Sequence, residues 1–198
     1  MSKVKICGLS REKDIDHANE ILPEFIGFVF YPPSSRYVSP EQAARLKEKL
    51  DYRIAAVGVF VDEEPETIAE LVKSETIDMV QLHGNEDNGY ISRLRKLCDC
   101  PLIQAFCISS QDDIRKAAAS EADFILLDSG KGSGITFDHS MIRDIKRPFF
   151  LAGGLDPENV GEAVLRFGPY AVDASSSLET DGYKDPVKMK AFTDAARI

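Results

Sequence analysis

Ile54-Ala-Ala-Val-Gly-Val-Phe-Val61 is a run of eight residues without a polar side chain, in which β-branched and aromatic residues predominate. Such a short apolar run is typical of a strand that is buried on both faces of a parallel sheet. Seven similar runs lie before and after it, with all eight starts 20 to 29 residues apart: VKIC from Val4, FIGFVF from Phe25, IDMVQLH from Ile77, LIQAFC from Leu102, ADFILLD from Ala122, PFFLAGG from Pro148 and YAVDASSS from Tyr170. This alternation of strand-length runs with longer segments predicts βα units.

The segments between the runs carry helix signals. Ser39-Pro40-Glu41-Gln42 combines an N-cap, a first-turn proline and a capping-box glutamine. Asp156-Pro157 and Asp185-Pro186 repeat the cap followed by proline. The segment after the sixth run has a weaker signal, a candidate short helix around Met141–Ile145. Helices are therefore expected after the strands.

Eight strands, each followed by a crossover, predict the α/β class and a single (β/α)8 TIM barrel over residues 1–198. An open doubly wound sheet is the main competitor. No G-x-G-x-x-G motif follows the first run, and eight units of similar length leave little room for a second domain. The barrel is therefore preferred.

Bulk composition narrows the range of partners. A net charge of −9 argues against a nucleic-acid-binding surface. The four cysteines are too few for a disulfide framework, and the lone C-x-C of Cys98 and Cys100 has no second ligand pair, so we expect no metal site. No run approaches the roughly 18 apolar residues of a membrane span. We expect a cytoplasmic protein with no membrane contact, and the acidic surface favours a monomer over a homodimer.

Polar residues concentrate at the carboxyl ends of the predicted strands and in the loops that follow, where a barrel of this kind has its active site. The candidates are Cys7, Arg36, Gln81, His83, Asp128, Gly132, Gly134, Gly153, Gly154, Ser175, Ser176 and Ser177. Each has an ordinary alternative: Cys7 as a small core residue, Asp128 as a helix cap, Arg36 as a solvated charge and His83 as a structural histidine. Their combination at one rim favours a binding site.

Phosphate is the first ligand class that the pattern indicates. Barrels often bind it with the loops after strands seven and eight. Gly153 and Gly154 let backbone N–H groups approach an anion, and Ser175–Ser177 supply hydroxyl donors. The alternative is two tight turns with serine caps.

The motifs, taken in order, carry a family resemblance along nearly the whole chain. They are KICG (Lys5–Gly8), GFVF (Gly27–Phe30), SRYVSP (Ser35–Pro40), VGVFV (Val57–Val61), VQLHG-x-E (Val80–Glu86), LLDS with its GSG loop, LAGGL (Leu151–Leu155) and VDASS (Val172–Ser176). The sequence resembles the phosphoribosylanthranilate isomerase family of tryptophan biosynthesis. The resemblance implies a single barrel without metal or cofactor. Its substrate would be a phosphosugar-anthranilate conjugate, rearranged from an aminoaldose to an aminoketose.

The resemblance also implies roles for individual residues. Cys7 matches the general base and Asp128 the general acid, while Arg36 matches the position that holds the anthranilate carboxylate. The glycine and serine loops match the phosphate site, and Gln81 and His83 lie in a matching motif. Ser177 stands where glycine is usual, and it is the departure that could weaken phosphate binding, because a Cβ crowds the backbone or requires an unfavourable φ.

A thiol base must be partly ionised, and a free cysteine has a pKa of about 8.5. Strand alternation places Lys5 on the same face as Cys7, and strand eight carries Asp173. Closure of the barrel makes strands one and eight neighbours. We therefore predict that Lys5 and Asp173 pair inside the barrel, one layer below Cys7, and leave a positive charge near the thiol.

Two other functions stay open at this point. One is another phosphosugar barrel enzyme, such as indole-glycerol-phosphate synthase or the tryptophan synthase α subunit, which would need a catalytic lysine or paired glutamates at strand ends. The other is a non-catalytic phosphosugar-binding regulator. The presence of both Cys7 and Asp128 counts against the regulator.

Overall fold

The computed structural model describes residues 1–128, 142 and 145–198. Eight parallel strands pair in chain order, and β1 pairs with both β2 and β8, which closes the barrel. The strands are β1 (Lys3–Cys7), β2 (Phe25–Val29), β3 (Ala55–Phe60), β4 (Met79–Leu82), β5 (Leu102–Cys107), β6 (Phe124–Asp128), β7 (Phe149–Ala152) and β8 (Ala171–Ala174). The predicted barrel is confirmed. The alternative of an open sheet is wrong, because the first and last strands of an open sheet do not pair, whereas β1 and β8 do.

Helices connect the strands and cover the outside of the barrel. In the described ranges they are α1 (Glu12–Ile21), α2 (Pro40–Lys49), α3 (Pro65–Lys73), α4 (Asn88–Leu94), α5 (Gln111–Ala118), α6 (Val160–Phe167) and α7 (Pro186–Ala196). None of these helices is long and apolar enough to cross a bilayer. The candidate helix around Met141–Ile145 falls largely outside the described residues.

Two of the predicted helix starts are confirmed and one is wrong. Ser39 accepts the N–H of Gln42 at the start of α2, although the Gln42 side chain donates to the Ser10 carbonyl and leaves the capping box half formed. Asp185 caps α7, with proline at its first position. Asp156 instead accepts two N–H groups of a turn, and α6 begins only at Val160 because the turn comes first.

The core has two layers, which follow from strand alternation. The outward-facing strand residues pack against the helices. The inward-facing residues form a second apolar cluster inside the barrel, which includes Met79, Leu126, Phe150 and Ala171. Two residues beyond Met79, Leu126 and Ala171, the interior becomes polar at Gln81, Asp128 and Asp173. The polar layer thus lies at the carboxyl ends of the strands.

A short hairpin follows β8 and was not predicted from the sequence. After a 3-10 helix (Ser176–Leu178), β9 (Glu179–Thr180) pairs with β10 (Tyr183–Lys184) in an antiparallel ladder. The turn residues Asp181 and Gly182 have φ values of 53° and 78°. Two central residues with positive φ are typical of a type I′ turn, for which Asp-Gly is a strong signal. The hairpin carries Glu179 and Lys184 to the rim.

Candidate active site

Cys7 is the last residue of β1 and Asp128 the last residue of β6. The carboxyl ends of parallel strands in a closed barrel meet at one rim, so both predicted reactive groups lie on the same side of the molecule. Charges across this rim act on one another: the pKa of His83 responds to Asp128 and to Lys5. Cys7, His83 and Asp128 therefore lie at one rim of the barrel.

Space for the Cys7 thiol depends on Gly27 of β2. The two residues are partners in the strand register. A Cβ added to Gly27 would lie 2.6 Å from the Cys7 Sγ, closer than any real contact. The glycine of the GFVF motif is thus required for the thiol to take its place, a role that sequence reasoning missed.

Gly8 turns the chain out of β1 and supports Arg36. Its φ is +82°, a conformation that L side chains rarely adopt. A Cβ there would lie 2.4 Å from Arg36 Cδ and 3.2 Å from Ser175 Oγ. The Ser175 hydroxyl donates to the Cys7 carbonyl at 2.9 Å. Arg36 and Ser175, both predicted to contact a ligand, therefore lie next to the end of β1.

The predicted pair of Lys5 and Asp173 is confirmed. Lys5 Nζ donates to Asp173 Oδ2 at 2.8 Å, and the Lys5 side chain is fully buried. Burial alone would lower the pKa of Lys5, but the charges of Asp173 and Cys7 outweigh it and raise the pKa. The ammonium therefore stays charged beside the thiol.

The Lys5–Asp173 pair lowers the pKa of Cys7 less than the sequence suggests. Burial raises the pKa of the Cys7 thiol, and the positive charges of Lys5 and Lys184 oppose the rise without cancelling it. The predicted positive charge is present, yet the pKa of the thiol still lies above its ordinary value.

Gln81 and His83 form one unit at the end of β4. Gln81 is almost fully buried, and its Nε2 lies 2.9 Å from His83 Nδ1. Desolvation lowers the pKa of His83, and the nearby ammonium of Lys5 adds to the effect. Both effects favour the neutral imidazole, and the amide of Gln81 holds the ring in place.

Arg36 is already paired in this structure. Its Nε donates to Glu179 Oε1 at 2.7 Å and its Nη2 to Glu179 Oε2 at 2.8 Å. Lys184 Nζ donates to the same Oε1 at 2.6 Å and to the Ser175 carbonyl at 3.0 Å. Sequence reasoning missed Glu179 and Lys184, although the Asp181-Gly182 dipeptide could have revealed the hairpin that presents them.

The loops after β7 and β8 have the predicted geometry in part. Gly153 and Gly154 adopt φ values of 88° and 68°, which leave their N–H groups in a tight turn. Ser176 is exposed, and the Ser177 hydroxyl donates to the Leu155 carbonyl. The prediction of an unfavourable φ at Ser177 is wrong, because the φ of Ser177 is not positive.

Two of the sequence-predicted candidates lie outside the described residues, namely Gly132 and Gly134. Among the residues that the structure describes, no group of three or more His, Cys, Asp or Glu side chains is placed to hold a metal ion.

Comparison with known protein families gives a match along almost the whole chain. The sequence model of the family described as N-(5'-phosphoribosyl)anthranilate (PRA) isomerase matches residues 4–195. An N-(5'-phosphoribosyl)anthranilate isomerase of Endomicrobium trichonymphae is 43% identical over 190 residues, which cover 93% of each chain. One from Thermoanaerobacter sp. strain X514 is 39% identical over 204 residues, with 100% of this chain and 98% of the relative covered.

Solved structures give the same result. Phosphoribosyl anthranilate isomerase from Thermotoga maritima superposes with a TM-score of 0.91 at 40% identity, covering 100% of this chain and 99% of the other. A second structure of such an isomerase was solved in complex with reduced 1-(o-carboxyphenylamino)-1-deoxyribulose 5-phosphate. It superposes with a TM-score of 0.89 at 39% identity, with the same coverage.

Proposed function

The chain belongs to the N-(5'-phosphoribosyl)anthranilate isomerase family, and on that premise we propose which residues carry out its reaction. The enzyme converts N-(5'-phosphoribosyl)anthranilate to 1-(2-carboxyphenylamino)-1-deoxyribulose 5-phosphate in tryptophan biosynthesis. This is an Amadori rearrangement. It requires an acid that opens the furanose ring and a base that removes the C2 proton.

Asp128 is the acid in this proposal. As a carboxylic acid it donates its proton to the ring oxygen while the C1–O bond breaks, and the nitrogen lone pair forms the C1=N bond of a Schiff base. Its position at the end of β6 is three strands from β1 around the eight-stranded ring. Acid and base can therefore flank a bound sugar.

Cys7 is the base. Its thiolate removes the C2 proton, the C–H electrons form the C1=C2 bond, and the C1=N electrons return to nitrogen. The resulting enolamine tautomerises to the ketone. The buried ammonium of Lys5 stabilises the thiolate from below, while Asp173 keeps that ammonium charged and in place.

Two anionic groups of the substrate need partners. The proposed phosphate site consists of the Gly153-Gly154 turn together with Ser175, Ser176 and Ser177, where backbone N–H groups and the exposed Ser176 hydroxyl can donate. The hydroxyls of Ser175 and Ser177 donate to the carbonyls of Cys7 and Leu155 and hold the loop in shape. The carboxylate of the anthranilate ring binds to Arg36, whose planar guanidinium suits a carboxylate. Gln81 and His83, at the end of β4 on the same rim, are further candidates for contact with the substrate. Gly132 and Gly134 are assigned to the substrate from sequence alone.

The observation that carries these assignments is the common rim of Cys7 and Asp128, with the 2.8 Å pair of Lys5 and Asp173 beneath the thiol. The test is steady-state turnover of N-(5'-phosphoribosyl)anthranilate by the purified protein. Cys7→Ser and Asp128→Asn are each expected to reduce kcat by a factor of about 100 or more. Unchanged rates in both variants would remove the proposed acid and base. A wild type that binds the substrate without turnover would point to the regulator instead.

We also propose a location and an oligomeric state. The proposed location is the cytoplasm, where the reducing environment keeps thiols free, and all four cysteines are free thiols. We propose a monomer on the basis of the net charge of −9. The isomerase of Thermotoga maritima in one similar structure is described as dimeric, with monomers generated from it, so the dimer is the alternative. Sedimentation velocity at micromolar concentration would show which state this chain adopts.

A further inference from the structure

One carboxylate holds two cations at the rim of the barrel. Glu179 accepts two hydrogen bonds from Arg36, at 2.7 and 2.8 Å, and a third from Lys184 at 2.6 Å. The side chain of Lys184 is 1% exposed and that of Glu179 is 9% exposed. A buried carboxylate with a two-pronged guanidinium partner has little freedom to move.

The backbone around Glu179 is held as firmly as its side chain. The ammonium of Lys188 in α7 donates a hydrogen bond to the Glu179 carbonyl at 2.7 Å. Glu179 pairs with Lys184 across the β9–β10 ladder. Lys184 also donates to the carbonyl of Ser175, whose hydroxyl donates to the Cys7 carbonyl. A continuous set of contacts therefore fixes Arg36 relative to the end of β1.

The three ion-paired side chains Arg36, Lys184 and Glu179 carry a net positive charge, which favours the binding of an anion. Arg36 and Lys184 contribute two positive charges and Glu179 one negative charge, which gives a local excess of one positive charge in a chain whose net charge is −9. Glu179 occupies the Nε–Nη2 edge of the guanidinium. A guanidinium has a second edge, formed by Nη1 and Nη2, that can donate two parallel hydrogen bonds to another carboxylate.

We propose that Glu179 is a positioning residue that orients Arg36 and thereby makes the enzyme select substrates with a carboxylate on the aromatic ring. This inference rests on the assignment of Arg36 to the anthranilate carboxylate. Glu179 does not touch the substrate in this role. It removes the rotational freedom of the Arg36 side chain before binding, so that less conformational entropy is lost when the substrate carboxylate is bound.

The test compares two substrates in the wild type and in Glu179→Gln. The first is N-(5'-phosphoribosyl)anthranilate, and the second is N-(5'-phosphoribosyl)aniline, which has the same sugar and ring but lacks the carboxylate. The measured quantity is the ratio of kcat/KM for the two substrates. The wild type is expected to prefer the anthranilate, and Glu179→Gln to reduce that preference by a factor of about ten or more, mainly through KM.

The control removes a different ion pair. Lys190 and Asp194 form an exposed pair of 2.7 Å on α7, and Asp194→Asn is expected to keep the wild-type preference. If Glu179→Gln does not fold because Lys184 is left buried without its partner, the double variant Glu179→Gln with Lys184→Met removes that cation as well. The same loss of preference is expected in the double variant.

The outcomes separate the inference from its premise. A wild type without any preference would overturn the role of Arg36 and this inference with it. A preference that Arg36→Met abolishes but Glu179→Gln retains would overturn only the role of Glu179. An equal loss of kcat/KM for both substrates in Glu179→Gln would show a purely structural role, and a lower KM for the anthranilate would show that Glu179 competes with the substrate. Either result would overturn the inference.

Discussion

Lys5 and Asp173 form an ion pair of 2.8 Å inside the barrel, across the β1–β8 seam that closes it. The two residues are 168 positions apart in the chain, yet they are partners in the strand register. Cys7 follows two residues after Lys5 on the same strand face. The pair thus joins the closure of the fold to the electrostatics of the proposed base.

Replacement of Lys5 by methionine should affect both reactivity and stability. Without the ammonium, the pKa of Cys7 should rise further, because a cation that opposes the effect of burial is lost. We expect kcat to fall by about tenfold or more, and the free energy of unfolding by about 3 kcal/mol because Asp173 is left buried and unpaired. The checks are steady-state kinetics and urea denaturation.

The reactivity of the thiol can be measured directly in the same variant. Alkylation by iodoacetamide as a function of pH reports the thiolate of Cys7, provided that exposed Cys107 and half-buried Cys98 are first changed to serine in both proteins. The alkylation profile of Lys5→Met should shift toward alkaline pH. A profile identical to that of the Cys98→Ser, Cys107→Ser parent would show that Lys5 does not act on the thiol.

The pH dependence of the wild type should follow from the same thiol. A base must be deprotonated to act, and burial raises the pKa of Cys7. The rising limb of kcat/KM should therefore lie on the alkaline side of neutrality, with activity increasing from pH 7 to pH 9. The measurement is a pH–rate profile of kcat/KM. A limb that is complete below pH 6 would contradict the assignment.

Gly27→Ala should displace the thiol without touching the substrate loops. The added Cβ would lie 2.6 Å from Cys7 Sγ, so the thiol must move. Misplacement of a reacting group by about 1 Å can cost about 100-fold in rate. We expect a loss of kcat of that order with a smaller change in KM. Gly161→Ala on α6, where the nearest atom is 3.3 Å away, is the matched control and should retain activity.

Gly8→Ala should weaken substrate binding more than it slows the chemistry. Its Cβ would lie 2.4 Å from Arg36 Cδ, and its φ of +82° strains any L side chain. Strain of this kind costs about 1–3 kcal/mol, and displacement of Arg36 should raise KM for the anthranilate substrate. Gly168→Ala also has a positive φ but no atom within 4 Å, so it separates the two effects. Equal KM values in both variants would mean that Gly8 acts through backbone strain alone.

Some of the site could be predicted because strand geometry constrains it. Alternation along a strand decides which residues point inward, and closure of the barrel decides which strands are neighbours. From these two rules the sequence leads to the pairing of Lys5 with Asp173 and to the common rim of Cys7 and Asp128. The same rules place Gly27 beside Cys7 as its partner in the strand register. Its importance is visible only from the structure, where a Cβ at Gly27 would lie 2.6 Å from the Cys7 Sγ.

By itself, the sequence determined the barrel, the order of its strands and the inward face of each strand, because these depend on local periodicity and on the regular spacing of the units. Only the tertiary structure decided that Glu179 holds Arg36 and Lys184 together. Arg36 and Glu179 are 143 positions apart and belong to a loop and a hairpin, whose approach no periodic pattern constrains. The contact arises from packing at the rim, and packing is a property of the whole folded chain.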